Sequence, residues 1–510
     1  MEKVKRFLSK HNETIHCLFV VYMVAYTILR EVMLLQSVLC FDWMTTGLFV
    51  VGFLLVVWDL FTDRAFLKGR AIDLLVAFFA VCVISCIVNI RYGFAHNLKT
   101  LVTMLFEFFL LFSLGTHGDR KKRLHTLLNT LTVTLFIFVL LSIGMYLFSV
   151  DLSVISRHGS DQGFDATWGR LWGVFGDPNI IAYLGLISIF ASGYFMYTYK
   201  KVWAYVLYGI NVVVQLSFVV LSVSRSALVT LIVAPVVASL YPLIAYIKTN
   251  KIKAIRSMAL TLLAGAVLFG GYFGLKQGLP YTKVALLRQV GVEGQQRVED
   301  AYHDLYEFCY IEITEHKVSG LTEEDLNSEE LKPLPSVPDK VDPTYEVEVI
   351  DRKDDKEDVS NGRFARWKAG FEVFMTTPIV GASPHNAVEI AKERTPDNVM
   401  GKHGWVAHCS YMEILFNSGI LGAVILYGCL IYIAVRLIKR VANTPFDSML
   451  YIAFVSFVTL AIGAFFVSDV FFILSVSAVL FYYLLGVLYD REEKTGLVAK
   501  FFDRLMRKRV

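Results

Sequence analysis

Long apolar runs separated by short polar stretches dominate the pattern along the chain. A helix needs about 20 mostly apolar residues to cross a membrane, because each residue adds about 1.5 Å across a hydrocarbon core of about 30 Å. Twelve such segments predict an all-α polytopic membrane protein. These segments lie near 14–39, 45–62, 71–90, 98–115, 125–149, 178–198, 202–222, 226–247, 256–275, 409–435, 447–468 and 470–489. The Arg30–Glu31 pair in the first segment predicts a break, a helix–helix pair or an interfacial end, since charge is costly at membrane depth.

The basic residues are distributed unequally between the two sets of loops. With the N-terminus placed in the cytoplasm, the cytoplasmic segments hold 27 basic residues and the short opposite loops hold five. Cytoplasmic loops of membrane proteins carry the excess of Lys and Arg. We therefore expect both termini to be cytoplasmic and the polar segment 276–407 to lie outside.

This outer segment divides the chain. The expected parts are a membrane domain with nine spans at 1–275, an extracytoplasmic loop domain at 276–407, a membrane domain with three spans at 408–489 and a basic cytoplasmic tail at 490–510. Within the loop domain, residues 299–358 contain 20 acidic and 6 basic residues. Proline and charge of one sign keep such a stretch extended, so we interpret it as a solvated spacer or small accessory lobe. Order is expected to return at 361–407, where aromatic residues and glycines punctuate the sequence.

Composition narrows the class of protein further. The 510 residues are 55% hydrophobic and 18% charged, with a mean hydropathy of +0.55. Soluble domains carry about a quarter charged residues, so a soluble multidomain enzyme is excluded. The seven cysteines show neither a CxxC pair nor metal-ligand spacing, and we expect neither a disulfide scaffold nor a zinc protein.

Arginines on the outer side run against the charge rule, and each invites an explanation. Arg225, in LSVSRSALV, lies where one predicted span runs directly into the next. Its guanidinium is always charged, so we expect it to face a wet cavity or an anion, with headgroup snorkelling or helix capping as the alternative. Arg170, in WGRLWGVFGDPN, precedes the sixth span on the same side. A substrate role and a headgroup contact beside Trp168 and Trp172 fit Arg170 equally well.

A third group of candidates lies in NGRFARWKAGFEVFMTTPIVGAS. In a helix, Arg363, Arg366 and Trp367 share one face, because their spacing is i, i+3, i+4. A helix start near Asn361 would also aim backbone N–H groups at an oxyanion. An ordinary amphipathic surface helix fits the spacing as well.

Histidine supplies the fourth candidate. His408, in VAHCSYMEILFNSGILG, lies where the outer domain re-enters the membrane. A catalytic base and a capping or packing residue are the two interpretations of this position. His385 and His403 lie in the same outer domain. No carboxylate stands at matching spacing, so we expect these histidines to bind no metal.

Four short stretches resemble motifs of the O-antigen ligase and O-antigen polymerase superfamily, which are multi-spanning bacterial glycosyltransferases of surface polysaccharide assembly. RLWGVFGDPNIIA is similar to an Arg–Leu–x–Gly–x–Phe–x–x–Pro–Asn segment, and SRSA is similar to a Ser–Arg–Gly/Ser–Ala turn. GRFARW, with PIVGAS eleven residues on, resembles a Gly–Arg–x3–Trp…Pro–x2–Gly pattern. AHCSYMEILFNSGILG resembles His–(Asn/Ser/Gln)–x9–Gly–x2–Gly, with Cys409 as the departure. The dozen spans and the large outer loop before the last three also fit.

The resemblance implies an enzyme of the bacterial cytoplasmic membrane that takes a glycan from a polyprenyl diphosphate carrier and attaches it to a hydroxyl with inversion. Fixed positive charge would stabilise the departing diphosphate, and Arg225 and Arg363 are the candidates. His408 is the candidate general base. The residues expected to bind substrate are Arg170, Asn179, Arg366 and Trp367. We expect no cofactor, and no step calls on a metal.

Two enzymatic interpretations share this machinery. A polymerase adds a growing chain to the next lipid-linked repeat unit, whereas a ligase moves a finished glycan to lipid A core, cell wall or protein. The His408 motif favours a ligase. The long acidic insertion is untypical of Gram-negative core ligases and favours the polymerase, which we prefer.

A transporter or flippase of lipid-linked sugars is the interpretation from a different class, since it shares twelve spans with both ends inside. Transporters usually show repeat halves and broken helices, which the sequence lacks in recognisable form. The partners that the enzymatic reading implies are the lipid-linked donor, a glycan, lipid or wall acceptor and membrane lipids. A chain-length regulator and a flippase are further candidate partners, and we expect no nucleic acid.

Overall fold

The structure is a computed structural model that describes residues 2–36, 41–62, 67, 69–148, 152–155, 161–165, 170–290, 310–311, 316–317, 362–489 and 496–507. Within these residues, ten helices are long and apolar enough to cross a membrane, and two further apolar helices are shorter. The predicted class, an all-α polytopic membrane protein, is confirmed. The acidic stretch 299–358 lies outside the described residues apart from two strands of two residues each.

Most helices before the outer segment lie close to the predicted spans, but the helix predicted at 256–275 continues to Val290, beyond the expected start of the outer segment at 276. The helices of this part are α1 Glu2–Leu29, α2 Met33–Gln36, α3 Phe41–Thr62, α4 Arg70–Val88, α5 Ala95–Phe106, α6 Phe112–Thr116, α7 Arg120–Leu147, α8 Pro178–Tyr199, α9 Val202–Leu221, α10 Arg225–Ile247 and α11 Lys251–Val290. A π-helical turn over Glu107–Leu111 joins α5 to α6, so that the two form one crossing. The apolar core lies between these helices, where leucines such as Leu131, Leu184 and Leu231 are fully buried.

The helices after the outer segment include the last crossings. They are α12 Arg363–Thr376, α13 Ala387–Arg394, α14 Val399–His403, α15 Ser410–Asn443, α16 Ser448–Gly463, α17 Val476–Leu488 and α18 Leu497–Arg507. The spans predicted at 447–468 and 470–489 are wrong at their facing ends, because α16 stops at Gly463 and α17 begins only at Val476.

Residues 464–475, between α16 and α17, form a non-helical segment that we call the re-entry brace. Backbone polar groups need partners at membrane depth, and Ser410 provides several of them. The Ser410 hydroxyl donates to the Val467 carbonyl over 2.7 Å and accepts from the Asp469 N–H over 3.2 Å. The Ser410 N–H is also within 2.9 Å of the Ala464 carbonyl. The brace therefore fixes the start of α15, a contact that hydropathy alone does not predict.

The first predicted span, 14–39, is shorter than expected. α1 ends at Leu29, and the following backbone turns away to meet the segment before α8, where Gly176 N–H donates to the Glu31 carbonyl over 2.9 Å. The break predicted from the Arg30–Glu31 pair is confirmed.

The sequence pattern predicts no strands, yet a three-stranded antiparallel sheet lies between α7 and α8. Its strands are β1 Leu152–Ile155, β2 Asp161–Asp165 and β3 Arg170–Gly173, followed much later by the pair β4 Tyr310–Ile311 and β5 His316–Lys317. Strands of four or five residues give too little alternation for a sequence pattern to reveal them. The sheet has a positional consequence, because β3 delivers Arg170 to the start of α8.

Candidate active site

Side chains from four helix N-termini meet at one end of the bundle. Asp177 is the N-cap of α8, Arg225 is the first residue of α10, Arg363 is the first residue of α12, and Cys409 is the N-cap of α15. Arg363 lies close enough to the other three side chains for each of them to act on its charge. A helix N-terminus carries partial positive charge and unsatisfied N–H groups, so this end of the bundle favours an anion. We call Asp177, Arg225, Arg363 and His408, which directly precedes Cys409 in the chain, the arginine site.

Arg363 is half-buried at the centre of this arrangement. Its Nη2 donates to the Phe466 carbonyl of the re-entry brace over 3.4 Å, and its guanidinium carbon lies 5.5 Å from the centre of the Phe466 ring. Burial and then the neighbouring Arg225 lower the pKa of Arg363, while Asp177 acts in the opposite direction. Both unfavourable effects on the charged guanidinium would be relieved by a bound anion.

Arg225 is exposed beside Arg363, in the tight turn that the abutting spans predicted. α9 ends at Leu221 and α10 begins at Arg225. The Ser224 hydroxyl caps α10 by accepting from the Ala227 N–H over 3.3 Å. Because the cap is a serine, the arginine side chain is not needed for capping, and that alternative interpretation of Arg225 loses its support.

The RLWGVFGDPN stretch brings Arg170 and Asn179 next to Asp177 of the arginine site. Arg170 Nη2 donates to Asn179 Oδ1 over 3.2 Å, and the Asn179 N–H donates to Asp177 Oδ1 over 2.8 Å. The guanidinium of Arg170 also lies 5.4 Å from the Trp172 ring, a cation–π distance. Asp177 thus links the two groups, because it accepts from the Asn179 N–H and lies near enough to Arg363 to raise the pKa of that guanidinium.

His408 lies in the backbone turn that leads into α15. It is exposed, between the buried Ala407 and Cys409, and its φ of +48° is in the left-handed region. That conformation is uncommon for a residue with a Cβ atom, and it persists where surrounding contacts fix the backbone. Ser410 supplies those contacts through the re-entry brace. Burial raises the pKa of Cys409, so the thiol that replaces the usual amide or hydroxyl of the motif stays protonated at neutral pH.

Trp367 and Arg366 support the His408 turn rather than joining the two arginines. Trp367 Nε1 donates to the Ala407 carbonyl over 3.0 Å, and its ring packs in a small cluster with Phe416. The Arg366 guanidinium lies 4.7 Å from the Trp405 ring. The three residues predicted to share one face of α12 therefore contact two different regions. Arg363 belongs to the arginine site, whereas Arg366 and Trp367 contact the segment before His408.

The glycines of the PIVGAS and NSGILG stretches meet each other. Gly381 and Gly419 both have positive φ, of +74° and +65°. A Cβ atom on Gly419 would lie 2.4 Å from the Ile379 carbonyl oxygen, and one on Gly381 would lie 2.4 Å from the Gly419 nitrogen. Ile420 N–H donates to the Pro378 carbonyl across the same contact, over 2.9 Å. These motif glycines therefore bring two backbones together behind the site.

A cavity of about 250 Å³ lies beside the His408 turn. Its walls include Ala407, Glu413, Ser468 and His385. Burial lowers the pKa of His385, and nearby His96 and Lys99 add to this effect, so this histidine is neutral at physiological pH. His403 lies apart from the cavity wall, with its ring 5.0 Å from that of Trp405.

Three contributors to this region are absent from the sequence prediction. Asp177 carries a local signal, because Asp followed by Pro at a helix start is typical of a cap, but its proximity to Arg363 is a long-range contact. The Phe466 carbonyl is a backbone group, so no residue type in the sequence indicates its role. In the sequence, Glu413 is a single charged residue in an apolar helix. Its position in the cavity wall is known only from the structure.

Residues 210–427 of the chain match the family model described as O-Antigen ligase. The match includes Arg225, Arg363 and His408, and it begins after Arg170 and Asn179. It contains three of the four motifs, confirms the predicted resemblance to the family, and indicates a membrane enzyme that transfers glycans. The search of curated proteins found no match.

Proposed function

We propose that this chain, which belongs through residues 210–427 to the O-antigen ligase and polymerase superfamily, transfers a glycan with inversion from a polyprenyl diphosphate donor to a hydroxyl acceptor. The observation that carries the proposal is the meeting of Arg225 and Arg363 at converging helix N-termini. Such an arrangement suits a diphosphate, which has two negative groups close together and accepts paired hydrogen bonds from guanidinium groups.

The arginine site would act on the leaving group. As the bond between the sugar anomeric carbon and the phosphate oxygen breaks, the electron pair goes to that oxygen and negative charge grows on the diphosphate. Fixed guanidinium groups stabilise that charge without a proton transfer, so no general acid and no metal is called for in the scheme. Arg170 and Asn179 would bind the donor from the Asp177 side.

His408 would act on the acceptor. A sugar hydroxyl is a weak nucleophile, and a base with a pKa near neutral can take its proton as the new glycosidic bond forms. The histidine is exposed and its backbone is fixed by its buried neighbours, which suits a base that must meet a substrate from solution. Arg366 and Trp367 would line the approach of the glycan along the outer domain.

The site would face the outside of the bacterial cytoplasmic membrane, with both chain termini in the cytoplasm. This orientation rests on the distribution of Lys and Arg. Reporter fusions after Lys201, Lys253 and Arg440 should read cytoplasmic, and fusions near Arg170 and within 299–358 should read external. An internal signal from the acidic stretch would overturn the orientation and place the arginine site on the wrong side for an exported donor.

A polymerase is the form of this activity that we favour, with the next lipid-linked repeat unit as acceptor. The long acidic stretch supports it, because this insertion is untypical of Gram-negative core ligases. A ligase is the second candidate, and the His408 motif and the description of the matching family favour it.

Deletion of the gene, followed by electrophoresis of the surface glycan, tests the proposal. Single repeats attached to their acceptor would indicate a lost polymerase, and full-length glycan stranded on the lipid carrier would indicate a lost ligase. Unchanged surface glycan would contradict both. Complementation with Arg363→Ala should reproduce the deletion, whereas complementation with Arg91→Ala, which removes an exposed arginine paired with Glu393, should restore the glycan.

A further inference from the structure

A second polar cluster is buried at the opposite end of the bundle from the arginine site. His16 lies near the start of the first crossing, Asp59 near the end of the second, and His117 directly after the fourth. Successive crossings run in opposite directions, so these three residues share one end, while Arg225 follows the seventh crossing at the other. The side chains of His16, Asp59 and His117 are 0%, 5% and 5% exposed.

Hydrogen bonds fix which ring nitrogen of each histidine carries a hydrogen. The Nδ1 of His16 lies 2.8 Å from the carbonyl oxygen of Asn12, and the Nδ1 of His117 lies 2.5 Å from that of Ser113. A carbonyl oxygen only accepts, so both Nδ1 atoms are donors. In the neutral ring, Nε2 then carries the lone pair that a metal ion needs, and an Nδ1–H bonded to a backbone carbonyl is the usual support for a ligating histidine.

The two Nε2 atoms face the same carboxylate oxygen. Asp59 Oδ2 lies 3.2 Å from His16 Nε2 and 3.4 Å from His117 Nε2, and all three ligand atoms lie within 4.8 Å of one another. The His16 distance is at the long limit of a hydrogen bond, and the His117 distance is beyond it. Tetrahedral ligands on bonds of about 2.0–2.1 Å are separated by about 3.3–3.4 Å, close to both distances from Asp59 Oδ2.

We infer that His16, Asp59 and His117 bind a divalent transition-metal ion, with Zn²⁺ as the best fit. Two imidazoles and one carboxylate are a donor set that Zn²⁺ takes in tetrahedral geometry when water or another ligand fills the fourth position. The ion would stabilise the fold by tying α1, α3 and the turn after α6 together, far from the arginine site. This departs from the expectation that the chain is no zinc protein, which was based on cysteine spacing. The three ligands lie 43 and 58 positions apart along the chain, so no local motif marks them.

Metal binding by the full-length, tag-free protein in detergent tests the inference. After chelation and desalting, titration with Co²⁺ should produce the strong visible absorption bands of a tetrahedral site at about one ion per chain. Zn²⁺ should displace Co²⁺, so that the bands disappear, and should raise the midpoint of thermal unfolding. Asp59→Asn and His16→Gln should weaken Co²⁺ binding by about 10–100-fold or more.

A matched control is His125→Gln, which removes another histidine whose Nε2 bonds to the Tyr194 hydroxyl. This variant should bind Co²⁺ like the parent chain. The inference is overturned if the parent chain gives no tetrahedral bands, or if Asp59→Asn binds Co²⁺ as tightly as the parent. It is also overturned if the metal-free protein is stabilised by acid and unaffected by Zn²⁺, because protons would then hold the cluster together.

Discussion

The two ends of the membrane bundle hold polar clusters of opposite character. At one end, Arg225 and His408 are exposed and Arg363 is half-buried, with positive charge in excess. At the other end, His16 and His117 surround Asp59 in the interior, and the fully buried Arg123 makes a two-point pair with Glu13 over 2.7 and 2.9 Å.

This difference distinguishes a site suited to a substrate from a cluster suited to stabilising the fold. Charges buried for structural reasons are matched inside the protein, because an unmatched buried charge is strongly destabilising. The arginine site places two guanidinium groups near each other at or near the surface, an arrangement that suits a substrate which brings negative charge. Variants at the two ends should therefore fail in different ways.

The largest loss is expected when both arginines are removed. Arg225→Ala combined with Arg363→Ala should abolish glycan transfer while the protein still inserts and folds, because each side chain is at or near the surface. Either single change should cost about 10²–10³-fold in turnover, by analogy with the loss of one donor from an oxyanion site. Transfer by purified protein is the measurement, and Arg91→Ala is the control. Substantial transfer by the double variant would contradict the proposed role of these residues.

A large but different loss is expected from His408→Ala. Turnover should fall by about 10²–10⁴-fold, the usual contribution of a general base, while binding of the lipid diphosphate donor stays close to that of the parent. His385→Ala and His403→Ala should have mild effects, since neither belongs to the arginine site. Equal losses in all three variants would show that His408 has no special role.

The glycine contact behind the site should affect stability rather than chemistry. Gly419→Ala forces a Cβ atom against the Ile379 carbonyl, at a backbone with φ +65° and ψ −173° that is essentially restricted to glycine and costs other residues about 1–3 kcal/mol. The thermal midpoint and the yield of folded protein should both fall. Gly428→Ala, in the same helix but with open space around it, is the control and should be close to neutral. A normal midpoint for Gly419→Ala would show that the contact is not tight.

The smallest effect is expected from the acidic stretch. Replacing residues Thr322–Val349 with a short Gly/Ser linker should leave folding and basal turnover intact, since this segment lacks hydrophobic periodicity. Product length is the property that the change should alter. Complete loss of transfer by a correctly inserted deletion variant would place the segment in the active site.

Hydropathy and motifs predicted much of this molecule, and the failures have physical reasons. Spans such as α8 and α10 are found as predicted, because a bilayer imposes one simple length rule. The re-entry brace and the strand that carries Arg170 were missed, since both depend on contacts between distant segments.

The site shows the same division. Motifs predicted Arg225, Arg363 and His408, but the motif glycines turn out to join backbones, and Trp367 supports the His408 turn. The Asp177–Arg363 proximity and the His16–Asp59–His117 cluster are both tertiary, so neither leaves a pattern in the sequence.

The central claim is that the arginines handle the diphosphate and the histidine handles the acceptor proton. Donor binding and single-turnover rate, measured on the same preparations of Arg363→Lys and His408→Ala, test it most directly. Lysine keeps the charge but loses the planar fork, so Arg363→Lys should weaken donor binding severely. His408→Ala should bind donor normally and turn it over slowly. If His408→Ala instead abolishes donor binding and spares the rate of bound substrate, His408 is a diphosphate ligand and the division of labour is wrong.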